Sequence, residues 1–227
     1  MARLPSLATV LTALRKLHGK PEAPPTDDPF ELILYENVAY LANDARRAEA
    51  FAILRDRVGL SPEKILQAPR EVLLEITRRG ISAEEMAERL REIASIALED
   101  FGGDVGAAAR RAPKEAIRAM KRFPSIGEPG AEKVLLFSGN LPVLALDSNG
   151  LRVLTRLGYA REENDYSKQY RAVRKAVDPE VRQDIGWLIE AHQLLRRHGQ
   201  ELCKRSHPRC DVCPLRPNCA YGRTASG

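Results

Sequence analysis

The sequence predicts an all-α protein, and three observations carry that prediction. Apolar residues recur at three- and four-residue spacing through most of the 227 residues, no stretch sustains the alternation of a strand, and helix-start and helix-stop residues punctuate the pattern. A hydrophobic fraction of 44% suits a chain with real cores, enough for one large domain or two modest ones. No run of eighteen apolar residues is present, and "MARLPSLATVLTALRKLHGK" breaks its apolar pattern with charge where a signal peptide would not. The expected location is therefore intracellular, in cytoplasm or nucleoid.

Leu4, Leu7, Val10, Leu11, Leu14 and Leu17 share one face of an opening helix, and "GKPEAPPTDDP" ends it as a linker. A second apolar helix is expected over "FELILYENVAYLAN", and a third over "DARRAEAFAILRDRVG", capped by Asn43 or Asp44 and closed by Gly59. Ser61 in "SPEK" and Ser82 in "SAEE" each offer a hydroxyl to an orphan backbone N–H ahead of a first turn with Pro or Glu. Further helices fit 104–121, 130–139, 148–157 and 167–198, the last with a break near Pro179. The total is about ten helices and no sheet.

Lys and Arg number 36 against 31 Asp and Glu, a formal charge of +5 that is too mild to name a partner by itself. Its placement says more. From Leu195 to Arg223 seven Lys or Arg face only Glu201 and Asp211, and the same stretch holds every cysteine of the chain. Cys203, Cys210, Cys213 and Cys219 are separated by six, two and five residues, close enough for a short loop to converge the sulfurs. Disulfides are one reading, although nothing points to an oxidising compartment. Zinc is another, although only Cys210 and Cys213 form the close pair that such sites use twice. An iron–sulfur cube is the third, being wide enough for thiolates that approach from separated directions. His207 inside the loop reads as a surface or DNA-facing residue.

This spacing, with "WLIEAHQLLRRHGQELCKRSHPRC" leading into it, resembles the C-terminal cluster loop of the endonuclease III superfamily of DNA glycosylases, which includes the adenine glycosylases. Two further segments share the resemblance. "FPSIGEPGA", residues 123–131, resembles the helix-hairpin-helix signature, whose turn leaves backbone N–H groups facing outward where a phosphate can sit. Read without the resemblance, it is equally an ordinary interhelical turn. Twenty residues after Gly127, "ALDSNGLRVLTRLG" resembles the family's V-D-T-H segment and the Arg beyond it, with Asp147, Ser148 and Arg152 in the matching places. Alone, Asp147 is adequately explained as a helix N-cap.

The resemblance covers about residues 29–221 and implies a two-lobed helix-hairpin-helix glycosylase fold. Residues 29–146 would form the hairpin lobe, and residues 1–28 with 147–227 the cluster lobe. It implies a 4Fe-4S cluster on Cys203, Cys210, Cys213 and Cys219, and double-stranded DNA with a damaged or mispaired base as the partner of a monomeric protein. Asp147 would be the catalytic carboxylate, stabilising an oxocarbenium-like sugar and helping water attack. Ser125, Ile126, Gly127 and Gly130 would meet the DNA backbone, as would Arg152, Lys204, Arg205 and Arg209. The target nucleotide would rotate out of the duplex, with a side chain filling the gap.

The chain departs from the family pattern at four places. Pro129 stands where strand-cutting members carry a nucleophilic Lys, so a monofunctional glycosylase using water is expected, with Lys133, one turn on, as the alternative nucleophile. Asn149 replaces the family's His. Leu41 replaces an inserted Gln, so Leu41 or Tyr40 reads as an apolar wedge, or Leu41 as core. Glu36 falls where the adenine-glycosylase branch carries a base-protonating glutamate; it reads either as that acid, held protonated by an apolar pocket, or as a solvated helix residue. The sequence stops at residue 227, short of the extra domain that adenine glycosylases use on the opposite base, so removal of adenine from a mismatch is not expected. A non-catalytic lesion-search module and an electron-transfer protein are the rival functions.

Overall fold

The computed structural model describes residues 4–224, and among them there are thirteen α-helices, three 3₁₀ turns and no strand. The chain divides into two compact units, Met1–Ala23 with Pro142–Gly227, and Pro24–Leu141. These boundaries fall a few residues before those drawn from the sequence.

Helix α1 (Leu7–His18) starts at Ser6, whose hydroxyl accepts from Thr9 N at 3.2 Å. Leu7, Val10, Leu11 and Leu14 are buried, whereas Leu4 precedes the helix and Leu17 is exposed, so the apolar face is shorter at both ends than expected. Helix α2 (Pro29–Asn37) follows, with Asp28 accepting from the amides of Phe30 and Glu31. It stops six residues early. Ile81 N donates to Tyr40 O at 3.0 Å, and the chain runs so close to Gly80 that a Cβ there would lie 2.5 Å from Tyr40 N. That contact draws the backbone out of helix, and Leu41 takes a left-handed φ of 53°.

Helix α3 (Asp44–Arg57) is capped by Asn43, and Gly59, with φ 96°, closes it. Helix α4 (Pro62–Gln67) takes its cap from Ser61 as expected. Helix α5 (Arg70–Thr77) has no side-chain cap and no separate signal in the sequence. Ser82 does not cap helix α6 (Ala83–Phe101): it is left-handed and makes no capping hydrogen bond. The buried Thr77 hydroxyl instead donates to Ala83 O, and Glu84 and Glu85 supply the favourable charge at the helix start.

The single helix expected over 104–121 is two, α7 (Val105–Ala109) and α8 (Pro113–Met120), because the ring of Pro113 cannot continue the first. Helix α9 (Glu128–Phe137) completes the unit. Its core is built around α6, which packs on α2, α4 and α5 and buries Leu90 and Ile93 against Ile33, Leu34, Ile65 and Leu73. Each of those side chains contributes about 1.5–3 kcal/mol.

The discontinuous unit resumes with α10 (Ser148–Leu157) and α11 (Tyr166–Val177), then the 3₁₀ turn Asp178–Glu180 at the expected break. Helix α12 (Ile185–Glu201) packs on α1 and α10, and α13 (Ala220–Thr224) ends the described chain. The N-terminal segment is tied in by Leu7 N to Glu180 Oε2 at 2.5 Å and by Tyr159 Oη donating to Pro5 O at 2.7 Å.

Candidate functional site

The hairpin consists of α8, a turn anchored by buried Phe123 and Ile126, and α9. Ile126 is 6% exposed, so its side chain holds the turn from within. Gly127 is the N-cap of α9, and no side chain bonds the amides that follow. A Cβ at Gly127 or Gly130 would meet no heavy atom closer than 3.9 Å or 3.6 Å, and neither has a left-handed φ. Internal packing therefore does not demand glycine at either position; close approach from outside would. Ser125 is left-handed, with φ 63°, and its hydroxyl accepts from Arg89 Nη1 at 2.6 Å. Arg89, also paired with Glu85, braces the turn from α6 and carries no sequence signal of its own.

Asp147 caps α10. Its Oδ1 accepts from the amides of Asn149 and Gly150 at 3.0 and 2.8 Å, and its Oδ2 accepts from Asn149 Nδ2 at 3.0 Å and faces Arg196 Nε at 3.5 Å. Burial works to raise the carboxyl, but charge on His192, the Gly150 amide, the Asn149 amide group and Arg196 outweigh it and hold Asp147 below the ordinary aspartate value. The side chain is 21% exposed, so this ionised group remains accessible.

Arg152 proves to be a strut, not a DNA-facing cation. Its guanidinium donates to Cys203 O, Gly199 O and Asn149 Oδ1, each at 2.8 Å. Asn149 thereby receives Arg152 on one side and donates to Asp147 on the other, an indirect link from the cysteine loop to the carboxylate. Gly199 makes room for it: a Cβ there would lie 2.7 Å from Asn149 Cβ.

In the other unit, Glu36 Oε2 lies 2.5 Å from Lys133 Nζ, a charged partner that neither an apolar pocket nor simple solvation of the side chain includes. Tyr40 and Leu41 are 41% and 69% exposed, which disposes of Leu41 as a core residue. Ile81, 53% exposed and hydrogen-bonded through its amide to Tyr40, stands beside them; it was missed because no local pattern separates it from a helix residue.

Cys203, Cys210, Cys213 and Cys219 line one pocket with Val153, Leu157, Leu202 and Leu215. Arg156 Nη1 lies 3.5 Å from Cys203 Sγ, and Gly222 N donates to Cys219 Sγ at 3.3 Å. Burial, with lesser contributions from the neighbouring sulfurs, pushes the thiols of Cys213 and Cys219 up. Burial and the nearby His18 push His198 down to about 4. Lys204, Arg205 and Arg209 are exposed, and Arg156 holds the carbonyls of Lys204 and Arg205 at 2.7 and 3.1 Å. His207 is exposed, as expected.

Among the described residues no helix is long and apolar enough to cross a membrane. No family model matches the chain. Endonuclease III of Rickettsia conorii is 28% identical over 163 residues, covering 71% of this chain and 70% of that protein. Endonuclease III of Escherichia coli K12 is 25% identical over 213 residues, 93% of each chain. The fold matches a trapped endonuclease III–DNA covalent intermediate with a TM-score of 0.74 at 21% identity, over 96% of this chain and 98% of the other. The chain is thus similar in sequence to endonuclease III proteins over most of its length and shares their all-helical fold.

Proposed function

We propose that the chain is a monofunctional DNA glycosylase of base excision repair, which hydrolyses the N-glycosidic bond of a damaged or mispaired base and leaves an abasic site. The observation that carries this reading is the geometry of Asp147: a carboxylate held ionised by two amides and a side-chain amide, yet partly open to solvent. Such a group suits the positive charge that develops on a sugar as its base departs, and it can orient the attacking water.

Two features support water as the nucleophile. Pro129 has no amine, and Lys133, the nearby alternative, is engaged with Glu36, its Nζ 2.5 Å from Glu36 Oε2. The uncapped start of α9, with Gly127 and Gly130, would hold a phosphate; Lys204, Arg205 and Arg209 would add backbone charge. Tyr40, Leu41 and Ile81 are the exposed apolar side chains suited to unstack the duplex and fill the gap of a rotated nucleotide.

Cys203, Cys210, Cys213 and Cys219 would hold a 4Fe-4S cluster. Four thiols line one pocket, and those of Cys203, Cys213 and Cys219 lie within reach of N–H groups on Arg156, His198 and Gly222, while among the described residues no three His, Cys, Asp or Glu converge closely enough for a single ion. The donor set thus fits a wider group better than one zinc. When bound, the cluster would cross-link the basic loop at four points.

The test uses duplex oligonucleotides bearing a panel of lesions and mismatches, incubated with the protein with and without alkali. Strand breaks at one or more lesions only after alkali, and no adduct after borohydride, are expected. Breakage without alkali together with a trapped adduct overturns the monofunctional reading. Binding without base loss at any lesion supports the non-catalytic module.

A further inference from the structure

The cysteine pocket has a buried support that base removal does not use. His198 of α12 is 1% exposed, and its Nε2 lies 3.5 Å from Cys213 Sγ. Its Nδ1 is 3.2 Å from Nε2 of His18, the last residue of α1, and the two rings meet edge-on with centroids 5.5 Å apart. The His18 side chain is itself only 3% exposed, and its Nδ1 is 3.3 Å from Glu201 Oε2. Arg197 closes the group, donating through Nε to Glu201 at 2.8 Å and through Nη1 to the backbone carbonyl of His18 at 2.9 Å.

Each link in this row sets the next. A cysteine sulfur that ligates metal is a thiolate and only accepts hydrogen bonds. His198 must then present Nε2–H, and a neutral imidazole that does so has a bare Nδ1. That nitrogen accepts from His18 Nε2–H, leaving His18 Nδ1–H to the Glu201 carboxylate. Burial and Arg197 outweigh Glu201 and hold His18 below its ordinary value, so the doubly protonated ring that this requires rests on the demand a ligated Cys213 makes through His198.

We propose that His18 and His198 are positioning residues for a metal–sulfur centre, His18 fixing the ring of His198 so that its Nε2–H donates to Cys213 Sγ. Arg156 and Gly222 donate to Cys203 and Cys219, but the donor at Cys213 is itself oriented by a side chain 180 residues away. A hydrogen bond to a ligating sulfur favours the more negative, reduced state and raises the reduction potential. Partners one shell out from a metal typically govern its retention by about 10–100-fold.

The inference rests on the four cysteines binding metal, and the experiment keeps the two claims apart. The full chain is prepared as wild type, His18→Leu and His18→Gln, and iron, sulfide and zinc are assayed. Reduction potential is measured by spectroelectrochemical titration, and metal retention by bleaching in the presence of a chelator. His18→Leu is expected to lower the potential and bleach roughly tenfold faster. His18→Gln, whose amide still donates to His198, is expected to stay near wild type, a rescue that a merely space-filling role would not produce. Glu201→Gln, at a half-exposed side chain, is expected to move the potential the same way by less, and serves if His18→Leu does not fold. Equal potentials and equal bleaching across the variants overturn the proposal. A wild type with zinc and no sulfide refutes the iron–sulfur reading alone; the order of zinc-release rates in the same variants then supports or overturns the positioning role.

Discussion

The starts of α9 and α10 are opposite solutions to one problem. Every helix begins with amides that have no partner within it. At α10, Asp147 takes two of them, and the amides in turn hold the carboxylate ionised and oriented. At α9, Gly127 contributes no side chain, so the amides are left for whatever comes from outside. The same backbone feature thus holds a carboxylate in one unit and stays open in the other, where the proposed function would place an anion. The residue at the cap decides which.

The most severe way to break this contrast is to remove the charge at α10. Asp147→Asn keeps an oxygen that accepts from the amides, so helical content is expected to hold, while single-turnover base release falls by about 10²–10⁴-fold. Loss of helix by circular dichroism, or an unchanged rate, would show that Asp147 is only a cap. A smaller effect is expected at α9. Gly127→Ala places a methyl in space that the protein leaves empty, so thermal stability should stay within about 0.5 kcal/mol of wild type while DNA affinity, followed by fluorescence anisotropy, drops roughly tenfold. Affinity equal to wild type would mean that nothing approaches that turn.

The mildest test concerns pH. Because the folded state holds Asp147 below its ordinary value of 3.8, the group stabilises the fold above that value, and the contribution is lost as pH falls through the depressed one. Urea denaturation at decreasing pH should therefore show a shallower acid loss of stability in Asp147→Asn than in wild type. Parallel curves would contradict the depressed carboxyl.

Much of the site was legible because its elements are local. Four cysteines within seventeen residues, a Pro- and Gly-bearing turn between two apolar helices, and an Asp at a helix start all carry their chemistry in short spacing. Misreadings arose where a distant segment intervened. Ser82 has the composition of a cap, yet it follows Ile81, whose amide is held by Tyr40 O, and it turns left-handed with no capping bond. The apolar pattern of α2 runs on through Leu41, yet the close passage of Gly80 ends the helix at Asn37. Arg152 has the composition of a cation for phosphate, yet the carbonyls of Gly199 and Cys203 occupy its guanidinium.

The sequence by itself determined the helical class, the hairpin, the cysteine loop and the carboxylate at the start of α10, since periodicity, turn chemistry and capping act over a few residues. Only the tertiary structure decided what those groups face: a lysine for Glu36, open space for Leu41, an asparagine and an arginine around Asp147, and a pair of histidines behind Cys213. Partners brought together across 180 residues leave no spacing to read, because the hydrogen bond that joins them depends on where whole helices pack and not on the order of the chain.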